Sequence, residues 1–145
     1  MKRPTHRFRI AGVGLFDALI SMAILSFGML AMTRFQGRMV AQTTESQSRQ
    51  VATQLAAEHL STVLVDAANA ACYTKPQAGA CGNAGAKTRT TAWGTRVAAA
   101  LPGTVTTAAA LNGNTPPDRM TLTITWTGKD SGDQRTLVTQ TDVRP

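Results

Sequence analysis

The sequence is poor in the residues that build large cores and catalytic sites. Aromatic residues make up 5% of its 145 residues, and it contains only two histidines and two cysteines. Its acidic residues are spread singly, apart from Asp130 and Asp133 in a turn-like segment, and its glycines match no phosphate-binding spacing. We therefore predict one small domain with a thin aliphatic core, and we expect no enzymatic activity, metal or cofactor.

Acid and proline are both missing from long stretches of the N-terminal half. No acid precedes Asp17, and no proline lies between Pro4 and Pro76. Four of the fifteen basic residues lie within the first twelve positions: Lys2, Arg3, Arg7 and Arg9. The other eleven basic residues are largely balanced by eight acids, so more than half of the net charge of +7 comes from the N-terminal segment. A short basic segment before an apolar run is typical of a cytoplasmic anchor, so we do not expect nucleic-acid binding.

The apolar run itself is close to the length of a membrane span. Residues 13 to 32, "VGLFDALISMAILSFGMLAM", carry one charge, at Asp17, and about 20 apolar residues are enough to cross a bilayer as a helix. A secretory signal peptide also has a basic start and an apolar centre, but no A-x-A-like cleavage site follows here. We predict a transmembrane helix over residues 13–33 with the C-terminal part in the periplasm; a plain signal anchor remains an alternative.

Helical periodicity continues beyond the apolar run. Apolar residues recur near helical spacing at Ala52, Leu55, Ala56, Leu60, Val63 and Leu64. Because no proline interrupts this region, one helix is predicted from about residue 13 to about residue 70, amphipathic over 34–70. Gly28 and Gly37 lie within it, either for close helix packing or as points of local unwinding. His59 is interpreted as a residue of the helix surface or of head packing, not as a ligand.

The C-terminal half predicts a small α+β head over residues 71–145. Residues 71–88 are rich in Gly, Pro and Ala and predict a loop, while Trp93, Val97 and Leu101 predict a short helix over 90–103, capped by Thr90 or Thr91. Strict alternation in "MTLTITW", residues 120–126, predicts a strand, and "TVTTAAAL" and "TLVTQTDV" are weaker strand candidates. The fold class is thus a long N-terminal helix packed on an antiparallel sheet of about three strands.

The two cysteines lie in the predicted loop. Eight residues separate Cys72 from Cys81, which suits a local disulfide if this part of the chain lies outside the cytoplasm. Two cysteines alone do not supply a tetrahedral zinc site. We therefore predict a disulfide in preference to a metal.

The junction of basic segment and apolar helix resembles the class III signal of type IV prepilins. In that family a short basic leader ends in glycine, as at Gly12, and an acid follows at the fifth mature position, as at Asp17. The family acid is usually Glu, and its first mature residue, Val13 in this chain, is often Phe. Among these proteins "GVGLFDALISMAILSFGMLAMTRFQ", "WGTRVAAALPG" and "MTLTITWTG" are similar to segments of PilV-type minor pilins.

The resemblance implies a processing route and a set of partners. Prepilin peptidase would cut after Gly12, Val13 would be N-methylated, and Asp17 would pair with the amino terminus of a neighbouring subunit. The implied partners are other minor pilins, the major pilin, the inner-membrane assembly platform and membrane lipid. The protein would sit in the inner membrane with a periplasmic head and then in the pilus, in a priming complex at the tip.

Three other functions stay open at the level of sequence. A minor pseudopilin of a type II secretion system carries the same N-terminal signal. A DNA-uptake pilin would need a basic stripe on its head, whereas the Arg and Lys residues here are scattered. A generic bitopic protein would have no filament role and would not be processed at Gly12.

Overall fold

The computed structural model describes residues 13–78, 81–112, 118–128 and 132–144. The chain divides into two compact units, Met1–Thr43 and Thr44–Pro145, called here the N-terminal and C-terminal units. Helix α1, Val13–Val65, begins in the first unit and ends in the second.

The described part of the N-terminal unit is helical, and its side chains from Gly14 to Thr43 are exposed. They include large apolar residues such as Phe16, Leu25 and Phe27, of which Phe27 is 73% exposed. Hydroxyl groups within this stretch bond to the helix backbone; Ser26 Oγ, for example, donates to Met22 O at 2.7 Å. This helix is long and apolar enough to cross a membrane once.

The predicted end of the helix near residue 70 is wrong, because α1 ends at Val65. Asp66 adopts φ −117° and ψ 48°, which is not helical. Its carboxylate accepts hydrogen bonds from Asn69 Nδ2 at 2.8 Å and from the Tyr73 hydroxyl at 2.9 Å. These side-chain bonds stabilise the end of α1, and a 3₁₀ helix follows over Ala67–Tyr73, with non-helical dihedral angles at Asn69 (φ −108°, ψ 20°).

Helix α2 spans Ala84–Ala100 and so begins earlier than predicted. Asn83 caps it, since its side-chain oxygen accepts from the Ala86 N–H at 3.1 Å. Residues 84–88 are therefore helix and not loop, and Thr90 is a buried residue inside the helix instead of its cap. The prediction for the apolar face is confirmed: Trp93, Val97 and Leu101 are all buried.

Three strands form an antiparallel sheet in the order β1-β2-β3: β1 is Val105–Asn112, β2 is Asp118–Thr127 and β3 is Gln134–Val143. Along β2 the predicted alternation is confirmed, because Met120, Leu122, Ile124 and Trp126 are buried while the intervening threonines are partly exposed. Central position in the sheet explains this clean pattern, since β2 pairs with a strand on each side.

The last turns of α1 pack on this sheet and complete the α+β fold predicted from the sequence. Ala52, Ala56, Leu60 and Val63 are buried and join one apolar cluster with the inward residues of β2. Leu64 was predicted on the same face but is 48% exposed. Small alanines on the helix let it approach the bulky side chains that the sheet presents.

One ion pair also joins α1 to β3. Glu45 Oε1 lies 2.9 Å from Arg49 Nε on its own helix and 3.2 Å from Arg135 Nε on the strand. The Arg135 contact is within ion-pair range, but its Nε–H is not aligned for a hydrogen bond. Both side chains of this pair are partly exposed, at 36% and 28%, and solvent screening limits such pairs to about 1 kcal/mol, so burial of the apolar face dominates the packing of α1 on the sheet.

A glycine is required where α2 connects to β1. Gly103 has φ +70°, and a Cβ at this position would lie 2.8 Å from Thr127 O. The next residue is tied to the same strand end, since Thr104 N donates to Thr127 Oγ1 at 3.1 Å. The chain therefore passes so close to β2 that only glycine fits without strain.

Candidate functional site

The N-terminal candidate residues lie at the start of α1. Gly12 lies outside the described residues, so the cleavage junction stays a prediction. Val13 is the first residue of α1, and Asp17 follows about one turn later on an exposed part of the helix. Among the described residues, Asp17 has no ion-pair partner.

Apolar side chains surround Asp17 along the helix, including Phe16 and Ile20, which are 70% and 56% exposed. A carboxylate at the centre of a membrane helix costs about 2.5–3.5 kcal/mol, and less near the end, where Asp17 lies. The positive end of the helix dipole offsets part of this cost. An amine supplied by another chain would satisfy the carboxylate, and the geometry leaves Asp17 open to such a partner.

The two cysteines form a disulfide, the pairing that the sequence favours over a metal site. Cys72 and Cys81 have Cα atoms 5.0 Å apart. The chain between them is also fastened to the sheet, because Lys75 and Ala109 exchange backbone hydrogen bonds of 2.8 and 2.7 Å. The disulfide and this bridge together hold the segment after the 3₁₀ helix against the edge of β1.

His59 is a packing residue of the C-terminal unit, which is one of the two roles expected for it. The side chain is 3% exposed, and its ring centroid lies 4.3 Å from that of Trp93. Nε2 lies 3.1 Å from Tyr73 O; because a carbonyl only accepts, Nε2 carries the proton and Nδ1 has a free lone pair. Burial lowers the pKa of His59 below its ordinary value of 6.5, which keeps the ring neutral.

A groove of about 280 Å³ lies beside this ring, between the end of α1 and α2. Its floor is aromatic, and Trp93 is fixed there because its Nε1–H donates to Leu55 O at 2.8 Å. The rim carries Glu58 from α1 and Arg96 from α2, which pair at 2.5 Å. Arg89 lies on the same face of α2, two turns before Arg96.

This groove is not predicted by the sequence. Its residues come from α1, the 3₁₀ helix and α2, and the arginines counted as scattered in the sequence. The signal available was the seven-residue spacing of Arg89 and Arg96, which places both on one face of a helix. The spacing indicates a shared helix face only if Arg89 is helical, and this became clear from the start of α2 at Ala84, five residues before Arg89.

The described residues contain no group of three or more His, Cys, Asp or Glu side chains arranged to hold a metal ion. No protein-family model, curated protein or solved structure matches this chain.

Proposed function

We propose that this protein is a minor pilin of the PilV type, which helps to prime assembly of a type IV pilus within a complex at the pilus tip. The observation that carries the proposal is Asp17: a single acid in an exposed apolar helix, five residues after a glycine that ends a basic, acid-free segment. An ordinary membrane anchor has no use for a carboxylate in that place.

The division of the chain into two units supports an assembly role. The apolar surface of the N-terminal unit has no partner within the described chain, so it needs lipid or other helices around it. Such a surface serves as a membrane anchor before assembly and as a packing surface in a filament afterwards. The C-terminal unit, closed by its own core and a disulfide, would then present the contacts specific to this subunit.

The proposed order of events begins in the inner membrane. Prepilin peptidase removes residues 1–12, and Val13 gains a methylated amino terminus. Asp17 then pairs with the amine of a neighbouring minor or major pilin when the assembly platform brings the two helices together. An ion pair shielded from water is far stronger than one at a surface, so this contact would guide entry into the filament.

Substitution of Asp17 tests the proposal. Asp17→Ala should leave the chain in the inner membrane, because removal of a charge favours insertion, but should nearly abolish its recovery in sheared pili. Asp17→Glu is the matched control, since it retains the charge and should be incorporated at close to the normal level. The measurement is immunoblotting of the membrane and pilus fractions from the same cells.

Normal recovery of Asp17→Ala in pili would contradict the proposed role of the carboxylate. Deletion of the gene should also lower surface piliation and twitching. If deletion instead impairs type II secretion and leaves pili intact, the protein is a minor pseudopilin, which uses the same N-terminal signal.

A further inference from the structure

Besides Asp17, the groove between α1 and α2 is a second candidate binding site of this chain. It combines two guanidinium groups, Arg89 and Arg96, with one carboxylate, Glu58, on its rim. The ring of His59 lines it as well, with Nδ1 unbonded within the described chain. His59 is only 3% exposed, so its ring forms part of the buried lining of the groove.

The charged side chains around the groove differ in how many hydrogen-bond partners they have. The Asp66 carboxylate accepts bonds from Asn69 and Tyr73, and these bonds, together with the nearby Arg89 charge, lower its pKa. Arg96 contacts Glu58 through a single nitrogen, which leaves several of its five N–H donors for another acceptor. No described carboxylate lies within ion-pair distance of Arg89, whose guanidinium lies near the Tyr73 hydroxyl and the Asp66 carboxylate. Because a guanidinium has five N–H donors, both arginines have donors left for a further acceptor.

The shape of the groove favours a protruding side chain over a free small molecule. Its volume of about 280 Å³ is at the lower limit for ligand pockets, and its rim is open, with the side chains of Arg96 and Glu58 56% and 47% exposed. Sites for small molecules usually bury most of the ligand. A group held by a larger partner needs no such enclosure.

We propose that this groove binds the carboxylate of an Asp or Glu side chain that a peptide segment of a partner protein presents. Arg89 and Arg96 lie two helical turns apart, about 10 Å along α2, and both line the groove together with Ala92, which lies between them in the sequence. A peptide also offers backbone N–H groups, which suit the free lone pair of His59 Nδ1. The peptide carboxylate thus matches the arginine donors of the groove, and a peptide N–H matches its acceptor, His59 Nδ1.

Glu58 is the competitor of the incoming acid. It already holds Arg96, and its charge repels a second carboxylate, so its removal should strengthen binding while removal of either arginine should weaken it. These opposite signs separate a specific site from damage to the fold. This proposal does not rest on the proposed pilin function, because the groove and its charges belong to the C-terminal unit itself.

The test is an NMR titration of the full chain in phospholipid nanodiscs, following the arginine Nε–Hε signals. The probes are the capped peptides Ac-Ala-Glu-Ala-NH₂ and Ac-Ala-Gln-Ala-NH₂, free glutarate and a short oligothymidylate. We expect the Glu peptide to bind about tenfold more tightly than the Gln peptide or glutarate. Arg89→Gln and Arg96→Gln should each weaken it about tenfold, and Glu58→Gln should strengthen it several-fold.

Lys87→Gln is the matched control, because Lys87 is an exposed cation on the same helix outside the groove. It should change the affinity less than about twofold. Equal binding of the Glu and Gln peptides, or an equal loss in Lys87→Gln and Arg89→Gln, would overturn the site. Glutarate bound as tightly as the Glu peptide would overturn the peptide source, and binding of oligothymidylate alone would overturn the carboxylate assignment.

The outcome is independent of processing at Gly12. A chain that is cleaved and methylated but does not bind the Glu peptide refutes the groove alone. A chain that binds the peptide but keeps Met1 refutes the pilin assignment alone.

Discussion

The two units of the molecule bury apolar surface in different ways. From Gly14 to Thr43 the helix exposes nearly every large side chain, whereas the C-terminal unit buries Trp93, Trp126 and Tyr73 almost completely. The second unit therefore carries its own hydrophobic stabilisation, while the described residues of the first bury no apolar core. We expect a core substitution in the second unit to lower the free energy of unfolding, and a substitution in the first unit to affect membrane insertion or assembly instead.

The same substitution made in each unit should have very different effects on unfolding. Ile124 is fully buried on β2, and Ile24 is 67% exposed on α1. Ile124→Ala should lower the free energy of unfolding of the C-terminal unit by about 2–5 kcal/mol, because it opens a cavity in the core. Ile24→Ala should leave it within about 0.5 kcal/mol. Denaturant titration followed by tryptophan fluorescence measures this, since both tryptophans lie in the C-terminal unit.

Loss of the disulfide should have the next largest effect. Replacing Cys72 and Cys81 together by Ser should cost about 2–3 kcal/mol, since the closed loop no longer restrains the unfolded chain. The same titration in the presence of a reductant should lower the wild type to the level of the double variant. A reductant that also destabilised the double variant would show that the loss has another cause.

Gly103→Ala should cost about 1–3 kcal/mol, because alanine is strained at φ +70° and its Cβ would press against Thr127 O. Gly28→Ala in the N-terminal unit is the matched control: it meets nothing within 4 Å and should not lower the unfolding midpoint. Equal effects of the two changes would mean that the close approach of residues 103 and 127 is not required for stability.

A smaller effect should come from acid. Burial lowers the pKa of His59, opposed by the Tyr73 bond and by Glu58 and aided by Lys75. As the pH falls below about 6.5, the unfolded chain takes up a proton that the folded chain resists, so the C-terminal unit should lose stability. His59→Gln, which retains a donor for Tyr73 O, should flatten the change between pH 7 and pH 5. Urea midpoints from circular dichroism at the two pH values measure it.

Much of this fold was predictable because its signals are local. Alternation in β2, the apolar stripe of α1 and the spacing of Trp93, Val97 and Leu101 each follow from the period of one element. The end of α1 at Val65 was not predictable, because it is stabilised by hydrogen bonds of the Asp66 carboxylate to Asn69 and to Tyr73, seven residues further on. The start of α2 was hidden by the glycines beside its Asn83 cap.

The two candidate sites differ in the same way. Asp17 stands out in sequence because it is a lone charge in an apolar run, and no fold is needed to notice it. The groove at His59 is formed by three separate segments of the chain, and none of its residues stands out from its neighbours in the sequence. Sequence thus indicates the role proposed for the N-terminal unit, and structure is needed to find the groove of the C-terminal unit.

The proposal that the chain is a processed pilin can be tested by mass spectrometry of the N-terminal peptide of the protein purified from cells that contain prepilin peptidase. We expect a chain that begins at N-methylated Val13, and an intact precursor when the peptidase is absent. An N-terminus at Met1 in the presence of the peptidase, or cleavage at any site other than after Gly12, would contradict it.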